Sequence, residues 1–155
     1  MTTDLLDAYR LLAEYGLLAD AGKYDEWLGL FDERCSYYVI PRENYELGLP
    51  AALIFCDTRA MLEDRIQALR VASKYNIHTD RHIIGMPRVA TTGCDSLTVE
   101  APFSVFQTEQ EGDTRLFATG LYRDRIERRK GTLKITEKMV LLDTFAVPSL
   151  LATPL

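Results

Sequence analysis

The sequence has 155 residues, 47% of them hydrophobic and 26% charged, with a formal net charge of -5 at neutral pH. This length and composition are typical of one globular domain, residues 1–155, with its own core, and they exclude a wholly disordered chain. The acidic balance excludes electrostatic steering toward nucleic acid or an anionic membrane, so we expect neither as a partner.

The first 31 residues of the chain are predicted to be mostly helical. Thr3 can cap a helix over about residues 4–21. Its apolar stripe is expected to face inward and consists of Leu6, Tyr9, Ala13 and Leu17, widened by Leu5 and Leu12. Residues 23–31 are predicted to form a short second helix whose inward side chains are Trp27, Leu28 and Phe31.

A strand, a loop and a long helix are predicted next. Aromatic and β-branched residues indicate a strand over 35–40, and a polar loop of ten residues, 41–50, follows it. Residues 51–56 are predicted to form a short strand. Asp57 or Thr58 can then cap a helix over about 58–72. The buried stripe of that helix is predicted to be Leu62, Ile66 and Leu69.

The second half of the chain is predicted to be extended. Residues 82–89 form one candidate strand, and strict alternation begins at Ser96. Turns at 111–113 and 129–131 separate two further strands, 114–127 and 133–147. The basic cluster between Arg123 and Lys130 is interrupted by acidic and apolar residues and is interpreted as an exposed strand face.

Helices that precede an antiparallel meander indicate the α+β class. Long strands twist, so we expect a cone-shaped, strongly curved antiparallel sheet with helices on its concave face. This order and shape resemble the nuclear-transport-factor-two-like, or cystatin-like, folds.

The cysteines and the N-terminus indicate a reducing compartment. Cys35, Cys56 and Cys94 are odd in number and lack C-x-x-C spacing, which favours buried free thiols over disulfides or a zinc site. The start of the sequence has no basic signal-peptide segment, and no apolar run reaches the length of a membrane span. We therefore expect a cytoplasmic protein.

The two histidines raise the question of a metal. On a strand, His78, Asp80 and His82 would share one face, and two His with a carboxylate form the ligand set of non-haem iron oxygenases. The favoured interpretation is instead a local hydrogen-bond or ion-pair network of Asp80, Arg81 and His82. A general-acid or general-base role is a third alternative.

No cofactor motif is visible in the sequence. A Rieske cluster needs two Cys and two His, and no Cys here has a His two or three residues away. A G-x-G-x-x-G motif and a Walker loop are also missing. Cone folds can host acid–base catalysis, for which the candidates are Tyr37, Tyr38, Asp57, His82 and Tyr122. For each of them packing, or helix capping for Asp57, is the favoured interpretation.

From Tyr37 to Pro87 the chain resembles the β subunits of Rieske-type aromatic-ring-hydroxylating dioxygenases. The matching pieces, in order, are Cys35–Ile40, Arg42-Glu43-Asn44, Gly48-Leu49-Pro50, Asp57–Ile66 and Arg81–Gly85. Asp20 and the stretch from Trp27 to Phe31 also fit. The helix start Thr58–Leu62 and the ending Leu150–Leu155 look most like the small subunits of the aromatic-carboxylate group, terephthalate and salicylate in particular.

The resemblance implies a structural, non-catalytic β subunit with no catalytic, metal or cofactor-binding residue of its own. It implies an α subunit that carries the iron–sulfur cluster and the non-haem iron, and an assembly of three α and three β subunits around a β homotrimer. An apolar tail, 147–155, also favours self-association. A stand-alone isomerase or dehydratase with an acid–base pocket, and a binding module without chemistry, are the alternatives.

The loop 41–50 is longer than a hairpin connection, and we predict that it contacts another subunit. Its apolar anchors beside an arginine are typical of interface hot spots. The candidate contact residues are Arg42, Glu43, Asn44, Tyr45, Arg81 and His82. A solvated loop and a catalytic lid are the other interpretations.

Overall fold

The computed structural model of the chain describes residues 2–49, 52–74, 77–143 and 154–155. Four helices and seven strands are present in this part of the chain. The helices are α1 (Thr2–Asp20), α2 (Tyr24–Leu28), α3 (Arg42–Glu46) and α4 (Arg59–Ala72). The strands are β1 (Phe31–Pro41), β2 (Ile54–Cys56), β3 (His78–Ile84), β4 (Arg88–Thr91), β5 (Ser96–Glu109), β6 (Thr114–Arg129) and β7 (Thr132–Leu142).

All seven strands belong to one sheet in the order β2-β1-β7-β6-β5-β3, and β4 pairs with β5 beyond the end of β3. The predicted meander is confirmed, because β5, β6 and β7 are antiparallel neighbours. One pair departs from the predicted antiparallel pattern, since β1 runs parallel to β7. The two edge strands, β2 and β3, do not pair with each other, so the sheet is curved but open.

Alternation along the long strands places one row of side chains in the core. Leu97, Val99, Ala101, Phe103 and Val105 of β5 are all at most 4% exposed, as predicted. The turn into β7 is also confirmed. Lys130 and Gly131 there have φ values of 51° and 83°, the pair of positive values that a tight two-residue hairpin requires.

Helix α1 is confirmed, but its predicted inward face is wrong. Leu6, Tyr9 and Leu17 are 47%, 39% and 57% exposed, and Ala13 is exposed as well. Of the predicted stripe Leu12 is fully buried, and the other buried residues of the helix are Ala8, Leu11, Tyr15 and Ala19. Thr3 lies within the helix and not before it.

Helix α4 follows the prediction closely. The Thr58 hydroxyl accepts a hydrogen bond from the backbone N–H of Met61 at 3.2 Å, and Leu62, Ile66 and Leu69 are buried. The predicted helix over 23–31 is shorter, because Phe31 already begins β1. Trp27, Leu28 and Phe31 are nevertheless in the core.

Two other details differ from expectation. The predicted loop after β1 contains α3, which begins at Arg42 directly behind the last residue of the strand. Cys35 and Cys56 are buried free thiols, as predicted, but Cys94 is exposed. No helix in the described ranges is both long and apolar enough to cross a membrane.

Candidate functional site

The three residues of the histidine motif, His78, Asp80 and His82, lie on the inner face of β3. His78 pairs with Asp80, whereas His82 has a partner elsewhere in the chain. His78 Nε2 lies 3.3 Å from Asp80 Oδ2, and Gln107 Nε2 donates to Asp80 Oδ1 at 3.3 Å. Arg115 in turn donates to Gln107 Oε1 at 3.1 Å. Asp80 is therefore held by a chain of polar side chains that reaches from β3 across β5 to β6.

His82 has a different partner, Asp20 at the end of α1. Asp20 Oδ2 accepts the backbone N–H of His82 at 2.8 Å, and Asp20 Oδ1 lies 2.6 Å from His82 Nδ1. The two side chains are 1% and 4% exposed. Arg81 reaches the same carboxylate at 3.9 Å from the outer side of the strand. Arg81 and His82 thus share Asp20, which ties α1 to β3, whereas Asp80 pairs with His78 and Gln107. The predicted single network of Asp80, Arg81 and His82 is therefore wrong in its partners, because Asp20 comes from a distant part of the chain.

Among the residues that the structure describes, no group of three or more His, Cys, Asp and Glu side chains is placed to hold a metal ion. The sequence prediction of a shared face for His78, Asp80 and His82 is correct. Both imidazoles, however, face carboxylates at hydrogen-bond distance, an arrangement that belongs to a hydrogen-bonded network.

A buried ion pair lies deeper in the cone, between adjacent strands. Lys138 Nζ donates to Asp124 Oδ2 at 2.8 Å, and neither side chain is exposed. The ammonium also lies 3.4 Å from the ring centre of Tyr122 and 4.1 Å from that of Tyr15. Burial raises the pKa of Asp124 and lowers the pKa of Lys138, and the attraction between the two charges opposes both shifts.

Two buried tyrosines bind the last residue of the sequence. The hydroxyls of Tyr15 and Tyr37 donate to the backbone oxygen of Leu155, the second at 3.2 Å, and the Leu155 N–H donates to Tyr37 at 3.0 Å. Leu155 is fully buried. Burial raises the pKa of Tyr37 to about 12 and that of Tyr15 well above its ordinary value, so both phenols stay protonated near neutrality.

The structure divides the predicted acid–base candidates between the two faces of the sheet. Tyr37, His82 and Tyr122 lie inside the cone. Tyr38 and Asp57 lie outside it, where the Tyr38 hydroxyl donates to Asp57 Oδ1 at 2.9 Å. The five candidates therefore do not form one pocket.

A row of side chains in register crosses the outer face of the sheet. It consists of Arg88, Glu100, Arg123, Met139, Tyr38 and Phe55, from β4 to β2. Arg123 Nη2 lies 2.9 Å from Glu100 Oε2, and Arg88 pairs with the same carboxylate. Hydrogen bonds from these arginines, that from Arg88 first, lower the pKa of Glu100. The tilted rings of Tyr38 and Phe55, 5.2 Å apart, form the apolar end of the row.

Helix α3 is anchored to this row by Tyr45. Arg123 Nη1 donates to the Tyr45 hydroxyl at 3.2 Å, and its guanidinium lies 5.5 Å from the centre of the Tyr45 ring. Arg42 reaches Asp143 at 3.6 Å. The loop that the sequence singled out is thus a short helix fixed against the outer face of the sheet.

Comparison with known proteins identifies the family. The family model described as "Ring hydroxylating beta subunit" matches residues 16–149. The chain belongs to the ring-hydroxylating beta subunit family.

Individual relatives of this beta subunit agree with that assignment. The anthranilate 1,2-dioxygenase small subunit of Burkholderia cepacia is 33% identical over 149 residues, which cover 96% of this chain and 92% of the relative. A terephthalate 1,2-dioxygenase terminal oxygenase component subunit beta 2 of a Comamonas species is 33% identical over 143 residues, or 92% and 93% of the two chains.

A solved structure of the beta subunit of a proposed aromatic-ring-hydroxylating dioxygenase from Novosphingobium aromaticivorans superimposes with a TM-score of 0.90. It is 38% identical, and the match covers 99% of this chain and 98% of that one. A cystatin-like protein of unknown function from Nostoc punctiforme, with a TM-score of 0.71 and 14% identity over 94% and 95% of the two chains, shares the fold alone. The predicted family and fold class are confirmed, and the stand-alone isomerase or dehydratase is not favoured.

The candidate contact residues of the beta subunit are not all at the surface. Arg42, Glu43 and Tyr45 are exposed on α3, with Asn44 half-buried between them, and the Arg81 side chain is 59% exposed on β3. The His82 side chain is 1% exposed and faces α1, so it does not reach another subunit from this position. We therefore remove His82 from the set.

Sequence reasoning missed the residues that fill the interior of the beta subunit. Asp124 and Lys138 are register partners on β6 and β7. A signal for Asp124 existed, because it stands in the same alternating phase as Tyr122 and Ile126, both of which are fully buried. A charged residue in the inward phase of a strand indicates a buried partner of opposite charge, but which strand supplies that partner depends on the sheet order.

Proposed function

We propose that this chain is the non-catalytic, structural small subunit of a multicomponent aromatic-ring-hydroxylating dioxygenase. The observation that carries the proposal is the 33% identity to two dioxygenase small subunits over more than nine-tenths of the chain. Residues 1–155 act as one domain in this proposal, and the chain works in the cytoplasm.

The redox groups belong to the partner in this proposal. An α subunit carries the Rieske iron–sulfur cluster and the mononuclear non-haem iron, and this chain binds neither. The chemistry of its own side chains supports that division. Within the described part of the chain, His78 and His82 on β3 pair with carboxylates. Cys35 on β1 and Cys56 on β2 lie at the opposite edge of the sheet from these histidines.

The substrate class that fits best is an aromatic carboxylate. Anthranilate and terephthalate, named in the two relatives, are both aromatic rings with a carboxylate. The groups that select the ring lie on the α subunit in this proposal, so this chain contributes to turnover through assembly.

The assembly is a β homotrimer bound to three α subunits. The apolar tail gives less support to the trimer than the sequence indicated, because Leu155 is buried in its own chain and residues 147–153 lie outside the described residues. An exposed stripe on α1, formed by Leu6, Tyr9 and Leu17, is a better reason to expect self-association. Light scattering should give about three times the chain mass of 17.6 kDa.

Helix α3 and Arg81 form the proposed contact with a neighbouring subunit. Replacing Arg42 and Tyr45 together with alanine should weaken assembly by about 2 kcal/mol or more, because an aromatic beside an arginine is typical of a hot spot. Tyr45→Phe is the matched control, since it keeps the ring over Arg123 and removes only the hydroxyl. Normal assembly and turnover in the double variant would contradict the contact, and lost turnover with intact assembly would indicate a lid.

Co-expression with an oxygenase large subunit of the same family of complexes tests the function as a whole. We expect the two chains to purify together in a constant ratio, iron to remain with the large subunit after the chains are separated, and ring hydroxylation to need both. A large subunit that is stable and fully active alone, and that never binds this chain, would overturn the proposal.

A further inference from the structure

A basic cleft lies between α4, the beginning of β1 and the β6–β7 turn. Its volume is about 920 Å³. Five positively charged side chains line it: Arg34, Arg59, Arg129, Lys130 and Lys134. Asp32 and Glu33 are the two acidic residues of the lining, so three positive charges remain in excess in a chain whose net charge is -5. The cleft therefore differs in sign from the protein as a whole.

Three of the five cations are held by the cleft itself. Arg59 donates to the backbone oxygens of Phe31 and Asp32 at 2.9 and 3.2 Å, and Arg129 donates to Asp32 Oδ1 at 3.2 Å. Lys134 donates to the backbone oxygen of Gly29. Arg59 and Arg129 also pair with Glu63 and Glu127, which lie just outside the lining. These contacts fix the wall of the cleft. In the part of the chain that the structure describes, the positive charge that remains without a carboxylate partner comes from Arg34, Lys130 and Lys134.

Arg34 and Lys130 are exposed, and neither makes an ion pair within the described residues. Lys130 stands at the tip of the β6–β7 turn with a φ of 51°. Phe31, the aromatic residue of the lining, is 3% exposed and offers no surface for base stacking. Two free cations beside two carboxylates fit a carboxylate-bearing protein segment better than a nucleic acid.

A turn whose negative charge is opposite to that of the cleft lies on the same chain. The β5–β6 turn carries Glu109, Glu111 and Asp113 within five residues, all of them exposed. It is closed by the N–H of Glu109 on the oxygen of Asp113 and by the N–H of Gly112 on the oxygen of Glu109, both at 2.9 Å. The turn is therefore a preformed, projecting group of three negative charges.

We propose that the acidic turn of one copy docks into the basic cleft of the next copy. Strand β6 has 16 residues and separates the acidic turn from the β6–β7 turn, which borders the cleft, so the two turns lie about 50 Å apart. The acidic turn therefore cannot reach the cleft of its own molecule. Such a head-to-tail contact closes into a ring when the rotation between copies allows it. The inference rests on the homotrimer of the proposed function and assigns its interface.

Charge reversal with rescue tests the inference. The cleft variant is Arg34→Glu with Lys130→Asp, because Asp tolerates a positive φ. The turn variant is Glu109→Lys with Glu111→Lys, and a third protein combines all four changes. The matched control, Lys23→Glu with Lys74→Glu, makes the same charge change as the cleft variant at exposed positions elsewhere.

Sedimentation measures the trimer dissociation in each protein, and circular dichroism verifies folding. In the cleft and turn variants like charges face each other, so each trimer should already dissociate at a protein concentration about tenfold higher than that at which the unaltered trimer does. The combined variant should recover, and the control should remain unchanged. Raising the salt from about 0.05 to 0.5 M should weaken the unaltered trimer, because salt screens exposed charges.

Other results overturn the inference in distinguishable ways. An intact trimer in both variants, or a loss that the combined variant does not repair, would refute the proposed interface but not the homotrimer itself. A normal trimer that no longer binds the large subunit shows that the cleft takes an acidic segment of that partner. Equal stabilisation of the chain by inorganic phosphate and by a glutamate-rich peptide shows a site for free anions. An unaltered chain that stays monomeric removes the homotrimer, and this inference with it.

Discussion

Removing either partner of the buried Lys138–Asp124 pair should destabilise the protein, and the two losses should depend on pH in opposite directions. Neither side chain is exposed, so an unpaired charge would remain without water. Loss of one partner of such a pair costs about 3 to 5 kcal/mol. The near-isosteric changes Lys138→Met and Asp124→Asn keep the volume of the site.

The direction of each pH effect follows from the pKa shifts. Burial already raises the pKa of Asp124, and loss of the ammonium raises it further. In Lys138→Met the folded state then binds more protons than the unfolded state above the ordinary carboxyl pKa. Its stability therefore falls as pH rises toward the folded pKa, by up to about 1.4 kcal/mol per pH unit.

Asp124→Asn gives the opposite sign. Burial lowers the pKa of Lys138, and loss of the carboxylate lowers it further. The folded state then binds fewer protons than the unfolded state between the lowered pKa and the ordinary amine pKa of about 10.4. Its stability should therefore rise with pH across that window. The double variant should show neither slope and lose less than the sum of the two single losses.

Urea unfolding at several pH values measures these free energies. Arg70→Met is the matched control, because its partner Asp25 has a side chain that is 86% exposed. An exposed pair contributes at most about 1 kcal/mol, so little loss and no distinct slope are expected there. Slopes of the same sign in both single variants, or a double variant as unstable as the sum, would refute the reasoning.

Three further predictions concern single residues. Thr58→Ala should lower the free energy of unfolding by about 1 kcal/mol in urea titration, because it removes the cap of α4, whereas Thr58→Ser should retain most of it. Gly120→Ala should cost at least about 3 kcal/mol in the same assay, since a Cβ there would lie 2.0 Å from the backbone oxygen of Leu141; a loss below about 1 kcal/mol would show that the strands can separate. One thiol per chain should react with a neutral-pH thiol reagent, and Cys94→Ser should abolish the reaction, because burial raises the pKa of Cys35 to about 11 and also raises that of Cys56.

Local sequence patterns predicted where the helices and strands lie better than they predicted which elements pack against each other. Alternation on β5 and the cap of α4 each depend on neighbouring residues, and both were predicted correctly. The inward face of α1 was not, because Leu6 and Leu17 form one apolar stripe while Leu11 and Tyr15 belong to another. Periodicity alone does not say which of two apolar stripes meets the sheet.

Contacts between distant residues decided the remainder. The parallel pairing of β1 with β7 joins residues about a hundred positions apart, and no short-range pattern indicates it. The partner of His82 is Asp20, which is 62 positions away. The sequence therefore indicated polar partners for the histidine motif, but not that His82 fastens α1 to the sheet through Asp20.

The interior shows how a fold that can enclose a ligand here supports structure instead. Tyr15 and Tyr37 direct their hydroxyls to the backbone of Leu155, and Lys138 lies against Asp124 between aromatic rings. Each of these groups could bind a ligand or move a proton in an open pocket, but here their partners are other parts of the same chain. An interior filled in this way has its polar groups engaged within the chain, which suits a subunit whose contribution is to hold an oxygenase in place. Within the described ranges the exposed surfaces include the outer face of the sheet, the apolar stripe of α1, the basic cleft and the acidic turn. Function in this chain is therefore expected to depend on contacts between subunits.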